Sequence, residues 1–269
     1  MQDRFDIDAY LERIQWGGST AHRYDTVAGL LRAHIEHIPF ENLDVLLGRG
    51  VRLDAQSLQD KLVRARRGGY CFEHASLLAA ALEALGFAPA PHTARVVMVV
   101  PKEQSPRTHM FLTIVLAEGT FVLDPGFGRT APRVPVPLQE GAEACAENEV
   151  HWMAREGGLW MLRTRDGDRV VDCWVSEVAP DNAVDFEMGN HFVSTYPSSP
   201  FVNRLMLRAY TPAGQVTVMD RDVTQRTGSQ ARTSVLTDRN ALRALVRRDF
   251  GFDLPEVESM RVPSIPEWD

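Results

Sequence analysis

The 269-residue chain carries only three cysteines, Cys71, Cys145 and Cys173, at wide spacing. An odd, scattered set excludes the disulfide framework of small secreted domains and suits a reducing cytosol. No apolar run is long enough to span a bilayer, and Met1–Asp8 lacks the apolar stretch of a secretory leader, so no membrane partner is expected. Basic residues are outnumbered, 29 against 36 acidic ones, and the formal net charge of −7 argues against nucleic acid as a main partner. There is no Walker loop, no Gly-x-Gly-x-x-Gly between a strand and a helix, no internal repeat and no low-complexity segment. What remains, 44% hydrophobic and 24% charged residues, is the composition of a soluble globular protein with one large domain or two to three packed subdomains.

The first 90 residues show helical spacing. Residues 7–14 and 26–37 place apolar side chains on one face, among them Val27, Leu30, Leu31 and Ile35. Residues 57–65 form a shorter helix candidate, and 73–85 has Leu78, Leu82 and Leu85 at i, i+4, i+7 with Gly86 as a stop. Pro39 breaks the second helix and opens the segment Pro39-Phe40-Glu41-Asn42-Leu43-Asp44, in which Phe40 is either core or pocket wall. From about residue 91 the pattern is that of strands: 94–100, 109–116, 120–123, 150–154, 159–163 and 169–178, separated by turn signals such as Glu156-Gly157-Gly158. Successive antiparallel strands of this length predict a small barrel or curled sheet. Further on, 190–201 reads as a Ser/Pro-rich connection and 204–210 with 215–220 as a hairpin. Residues 240–250 read as an amphipathic helix capped by Thr237 or Asp238 and ended by Gly251.

Chemistry concentrates at Arg67-Gly68-Gly69-Tyr70-Cys71-Phe72-Glu73-His74. The paired glycines let the backbone turn sharply, and a cysteine at a helix N-terminus feels the positive end of the dipole, which favours the thiolate. The plainer alternative is a small buried residue at a tight junction. A nucleophile needs a base, and the base an orienting partner. His109 begins one strand of a hairpin and Asp124 follows the other. A turn at Glu118-Gly119 sets Asp124 opposite Thr113, and a turn at Ala117-Glu118 sets it opposite Phe111. Both put His109 and Asp124 on one face, at an offset of four or two residues, and only the shorter suits a His–Asp hydrogen bond. Seven other histidines compete for the role. Cys71 and His74 have the spacing of half a zinc site, but no second pair completes one, so no metal is expected. The run Arg64, Arg66, Arg67 reads as a solvated face, although Arg67 lies next to the chemistry.

Taken together, these segments resemble the arylamine N-acetyltransferase family over residues 10 to 205. The resemblance is carried by Pro39-Phe40-Glu41-Asn42-Leu43-Asp44, Arg67-Gly68-Gly69-Tyr70-Cys71-Phe72-Glu73, His109 before an apolar strand, and Asp124-x-Gly126-Phe127-Gly128. Asn190-His191-Phe192-Val193-Ser194-Thr195, with Pro197, Ser199 and Phe201, resembles a later family segment. The resemblance implies an α+β fold with a papain-like core in three parts: a helical bundle (1–90) carrying the nucleophile, a β-barrel (91–189) carrying His and Asp, and a connection with an α/β lid (190–269). It implies a Cys71–His109–Asp124 triad and ping-pong transfer from acetyl-CoA, without a metal, to small arylamines or arylhydrazines.

The resemblance also implies an acceptor pocket lined by Phe40, Val97, Phe127, Phe192 and Phe201, and a pantetheine path along Gly126, Phe127 and Gly128. Two positions depart from the family pattern: Ala75 stands where Asn is common, and Pro125 replaces a small or β-branched residue. The rival readings are an amide synthase of the same fold that releases a polyketide from a carrier protein, a thiol hydrolase, and a non-catalytic binder of CoA or aromatic ligands.

Overall fold

The computed structural model describes residues 5–147, 149–228 and 230–268. Its first third is helical: α1 (Ile7–Arg13), α2 (Tyr24–His37), the short strand β1 (Phe40–Glu41), α3 (Leu43–Leu46), α4 (Ala55–Leu58) with a π-helical extension over Gln59–Arg64, and α5 (Cys71–Ala84). Ile38, which precedes Pro39, is already extended, as the ring of the next residue disfavours helix there, and α2 stops. Helix α5 starts two residues earlier than the leucine spacing indicates. Glu73 in its first turn turns back, and its Oε2 accepts the Tyr70 N–H at 3.1 Å. This satisfies one of the free amides of a helix start and draws Cys71 into the first turn.

Eight antiparallel strands follow: β2 (Ala90–Val96), β3 (Arg107–Leu116), β4 (Gly119–Leu123), β5 (Val136–Pro137), β6 (Glu143–Ala146), β7 (Glu149–Glu156), β8 (Leu159–Asp166) and β9 (Arg169–Ser176). Their order in the sheet is β5-β4-β3-β2-β9-β8-β7-β6, and the edge strands β5 and β6 approach each other, so the sheet curls into a nearly closed barrel. The strand expected over 94–100 is displaced. Arg95 already pairs with Arg107, the first residue of β3, so that side offers nothing to residues 97–100, and Val99 stands 90% exposed.

Both faces of the β3–β4 hairpin are buried. Met110, Leu112, Ile114, Phe121 and Leu123 pack against the helices, while Phe111 and Val122 face the barrel interior with Trp174.

A second sheet has the order β1-β10-β11-β12-β13, with β10 (Met206–Thr211), β11 (Gly214–Met219), β12 (Asp222–Thr227) and β13 (Gln230–Val235). Two helices precede it, α6 (Ala183–Thr195) and α7 (Pro200–Asn203), and α8 (Arg239–Leu245) follows, with a π-helical end over Val246–Phe250. The connection expected over 190–201 is therefore largely helical. Asp185 accepts the Asn182 N–H at 2.8 Å, and Phe186, Gly189, Asn190 and Val193 form the buried stripe. The β12–β13 hairpin is not legible in the sequence, because β13 is exposed along its whole length and shows no alternation. Asp238 is the cap of α8, accepting the Ala241 N–H at 2.8 Å. Among the described residues no helix is long and apolar enough to cross a membrane.

Candidate active site

The hairpin turn falls at Ala117-Glu118: Leu116 pairs with Gly119 and Leu112 with Leu123. Asp124 thus lies opposite Phe111, two residues from His109, and both side chains point into the barrel. His109 Nε2–H donates to Asp124 Oδ2 at 2.8 Å. The same oxygen accepts Trp174 Nε1–H at 2.8 Å. A carboxylate oxygen only accepts, so the proton of this bond sits on Nε2 and Nδ1 is left to meet Cys71. Cys71 is among the neighbours that favour the charged ring, and its sulfur lies 3.8 Å from the carbonyl oxygen of Thr108, the residue before His109. Burial opposes charge on His109, but the Asp124 charge and hydrogen bond, together with Cys71, overcome it and raise its pKa to about 10. The imidazolium is therefore kept through neutral pH and lost as pH rises through that value.

Glycines set the distance between the nucleophile's turn and its neighbours. A Cβ on Gly126 would lie 2.5 Å from Cys71 Cα and 3.0 Å from its carbonyl oxygen, and one on Gly68 would lie 2.0 Å from Pro39 O. Backbone cannot yield as a flexible side chain can. Gly126→Ala is therefore expected to cost about 1–3 kcal/mol of stability, as overpacked sites do. Urea denaturation checks this, and an unchanged midpoint would contradict the packing read here.

Arg67 is not solvated. It donates to Glu41 Oε1 at 2.6 Å and Asp44 Oδ1 at 2.7 Å, while Lys61 Nζ lies 2.9 Å from Asp44 Oδ2 and 2.7 Å from Glu73 Oε1. This network ties α3, the π-helical segment and the start of α5 together. Two backbone bonds add to it, Glu41 N–H to Gly69 O at 2.8 Å and Gly69 N–H to Pro39 O at 3.2 Å, which hold Phe40 beside the Cys71 turn.

His74 belongs to a buried chain. Tyr10 O–H donates to His34 Nδ1 (2.9 Å), His34 Nε2–H to His74 Nδ1 (2.9 Å), and His74 Nε2–H to Pro39 O (3.2 Å). Both histidines are held neutral by burial and nearby positive charge, His74 pushed down to about 3.

The expected pocket residues divide. Phe127 packs edge-on against His109, with centroids 4.9 Å apart, and Phe40 lies 6.3 Å from both Phe201 and His74. Phe192 is half-buried and stacks on Tyr196 at 4.3 Å, and Val97 lies just past β2 with its N–H on Cys173 O. Tyr70 donates to Asn190 of α6, whose amide N–H reaches Val51 O, so α6 is pinned to the residue before Cys71. A cavity of about 470 Å³ opens beyond that bond, lined by Val51, Ser76, Phe186 and Asn190, and the triad candidates do not line it. Sequence reasoning does not single out Trp174 as a partner of Asp124, and names Asn190 only as part of the segment 190–195 with no role of its own. For Trp174 one signal was present: a tryptophan in an apolar strand needs an acceptor for its indole N–H.

A thiol beside an imidazole that a buried carboxylate holds is equipped for thiol-based acyl chemistry, and comparison with known proteins narrows the class to the N-acetyltransferases, whose family profile matches residues 24–259. An arylamine N-acetyltransferase of Escherichia coli (strain K12) is 32% identical, covering 94% of this chain and 90% of that one. The solved arylamine N-acetyltransferase of Nocardia farcinica superposes with a TM-score of 0.85 at 38% identity, covering 94% and 91% of the two chains. That of Mycobacterium marinum in complex with CoA gives 0.88 at 31% identity, with 94% of each covered. The chain belongs to the arylamine N-acetyltransferase family.

Proposed function

We propose that the protein is an acetyl-CoA-dependent N-acetyltransferase acting on arylamines and arylhydrazines through a thioester on Cys71. The observation that carries this is the 2.8 Å His109–Asp124 bond on the face that meets the Cys71 thiol. In the first half-reaction the Cys71 sulfur attacks the acetyl carbonyl, the bond to the CoA sulfur breaks, and the His109 imidazolium returns a proton to the departing thiolate. In the second half-reaction the amine attacks the acetyl-cysteine, His109 takes the amine proton, and the Cys71 sulfur leaves. Asp124 holds the tautomer and stabilises the imidazolium, and Trp174 positions that carboxylate.

Gly126, Phe127 and Gly128 then border the pantetheine path, consistent with the close approach of Gly126 to Cys71. Phe40, Phe127 and Phe201 form the acceptor wall with Val97 and Phe192 further out. The papain-like division into a bundle (1–90), a barrel (91–189) and a lid (190–269) is part of the same reading. Two hydrophobic clusters support it, one confined to the barrel and one mostly within residues 205–268, while the largest joins the helices to one face of β3–β4 and to α6. Steady-state kinetics test the proposal: with acetyl-CoA and an arylamine both varied, double-reciprocal plots are expected to be parallel, with CoA and N-acetylarylamine released in equal amounts. Intersecting lines, or no acetylated amine, would sink it.

A further inference from the structure

Arg208 is the least explained charge in the molecule. It is 1% exposed, and among the described residues none of its three guanidinium nitrogens has a hydrogen-bond partner. Burying an ionic group without hydrogen bonds is costly, and such groups persist where something uses them. Among the described residues its ring contact is Tyr210, whose centroid lies 5.4 Å from Cζ, with Arg133 at 5.3 Å from the same ring. Arg133 is occupied by Glu36, Glu147 and Glu149, so of these two guanidinium groups it is Arg208 that has donors to spare among the described residues.

Its position is set by register. Arg208 lies directly opposite Phe40 across β1 and β10, and opposed residues in an antiparallel pair share a face. From Phe40 the contacts run to the site: a Cβ on Gly128 would touch its ring at 4.0 Å, and Phe127, one residue earlier, packs on His109. Arg208 is thus at the far end of the same aromatic wall that begins at the triad, and it is as enclosed as Cys71 and His109 are. The charge of Asp124 reaches it, and that of Arg208 in turn reaches His74.

We propose that Arg208 receives a carboxylate or sulfonate carried on the aromatic ring of the acceptor, so that the site selects anionic arylamines over neutral ones. This rests on the reading of the site as an arylamine N-acetyltransferase. With the amine at the Cys71 thioester and the ring along Phe40, the substituent opposite the amine points toward the guanidinium, whose planar fork matches a carboxylate. The other anion in the reaction is the phosphate portion of CoA. That portion is larger and more highly charged than a position walled by Phe40, Tyr210 and His74 suits.

The test compares 4-aminobenzoate with 4-aminobenzamide, which differ in charge at the end remote from the amine. In Arg208→Met the ratio of their kcat/KM values is expected to fall about 10- to 100-fold relative to wild type, the range of a hydrogen bond to a charged group. Arg208→Lys should restore part of it. An unchanged ratio overturns the proposal. So does a rise in KM for acetyl-CoA but not for S-acetylpantetheine, because Arg208 would then be serving CoA phosphate.

Binding gives a readout that needs no turnover: benzoate should raise the wild-type melting midpoint more than benzamide at the same concentration, and an equal shift counts against the proposal. This comparison decides the matter if Arg208→Met does not fold. Failure of the wild type to take an acetyl group from acetyl-CoA would strike the parent reading, whereas acetylation followed by equal use of both acceptors would strike this one alone.

Discussion

Asp124→Asn is expected to lower kcat/KM on the order of 10⁴-fold, the loss that accompanies neutralising a buried triad carboxylate. The geometry makes this a clean test of charge. Both donors, His109 Nε2–H and Trp174 Nε1–H, go to Oδ2, while Oδ1 is buried without a hydrogen-bond partner among the described residues. An asparagine can therefore keep its oxygen on both donors and put its NH2 where no donor is displaced. What disappears is the negative charge. The pKa of His109 is raised against the pull of burial mainly because Asp124 is charged, so without that charge burial dominates and the imidazolium is lost at neutral pH.

The same change should slow alkylation of Cys71 by iodoacetamide at pH 7. A variant that folds and stays within tenfold of wild-type kcat/KM would show that Asp124 acts as a structural residue only.

Arg67→Met is expected to cost about 3–5 kcal/mol of stability, because removing one partner leaves the other charge buried and unpaired. Glu41 is fully buried, and its Oε1 has Arg67 at 2.6 Å while its Oε2 accepts the Leu43 N–H at 2.7 Å. Lys61 is committed to Asp44 and Glu73 at the wetter end of the network, so it cannot replace the lost guanidinium. Urea unfolding of Arg67→Met, with Arg67→Met/Glu41→Gln alongside, checks the argument: the double variant should recover part of the loss, since it removes the orphaned charge as well. A single-variant loss below 1 kcal/mol would mean that water reaches Glu41 and that the network is a surface one.

How far the site was legible depended on whether local chemistry or packing decided each position. The Gly68-Gly69-x-Cys71-x-Glu73 stretch announces its helix start, because glycine space and a first-turn acid are local matters. The His109–Asp124 register stays between two values in the sequence, because the two candidate turns differ by a two-residue slip that leaves every side chain on its own face, so hydrophobic alternation cannot choose between them. Only the pairing of Leu116 with Gly119 decides it. Residues 97–100 read as a strand on β-branched composition, yet a strand needs a neighbour and β3 begins too late to supply one.

Arg67 looks like surface in the sequence because its two carboxylate partners, Glu41 and Asp44, lie 26 and 23 residues earlier in the chain. Arg208 lay in a hairpin whose Leu207 and Ala209 face one core, so the opposite face would ordinarily meet water; here α2 packs against β10 and closes it. Helix α6 was obscured by Gly189 and the Ser-Thr pair, which favour connections in isolation, although Phe186, Asn190 and Val193 keep helical spacing.

The central claim is that the acetyl group passes through the Cys71 sulfur, and intact-mass measurement after brief exposure to acetyl-CoA tests it most directly. One acetyl group should appear on the wild-type protein, vanish on addition of an arylamine, and fail to appear on Cys71→Ala. A wild type that gains no acetyl group, or a Cys71→Ala protein that gains one undiminished, would contradict the account.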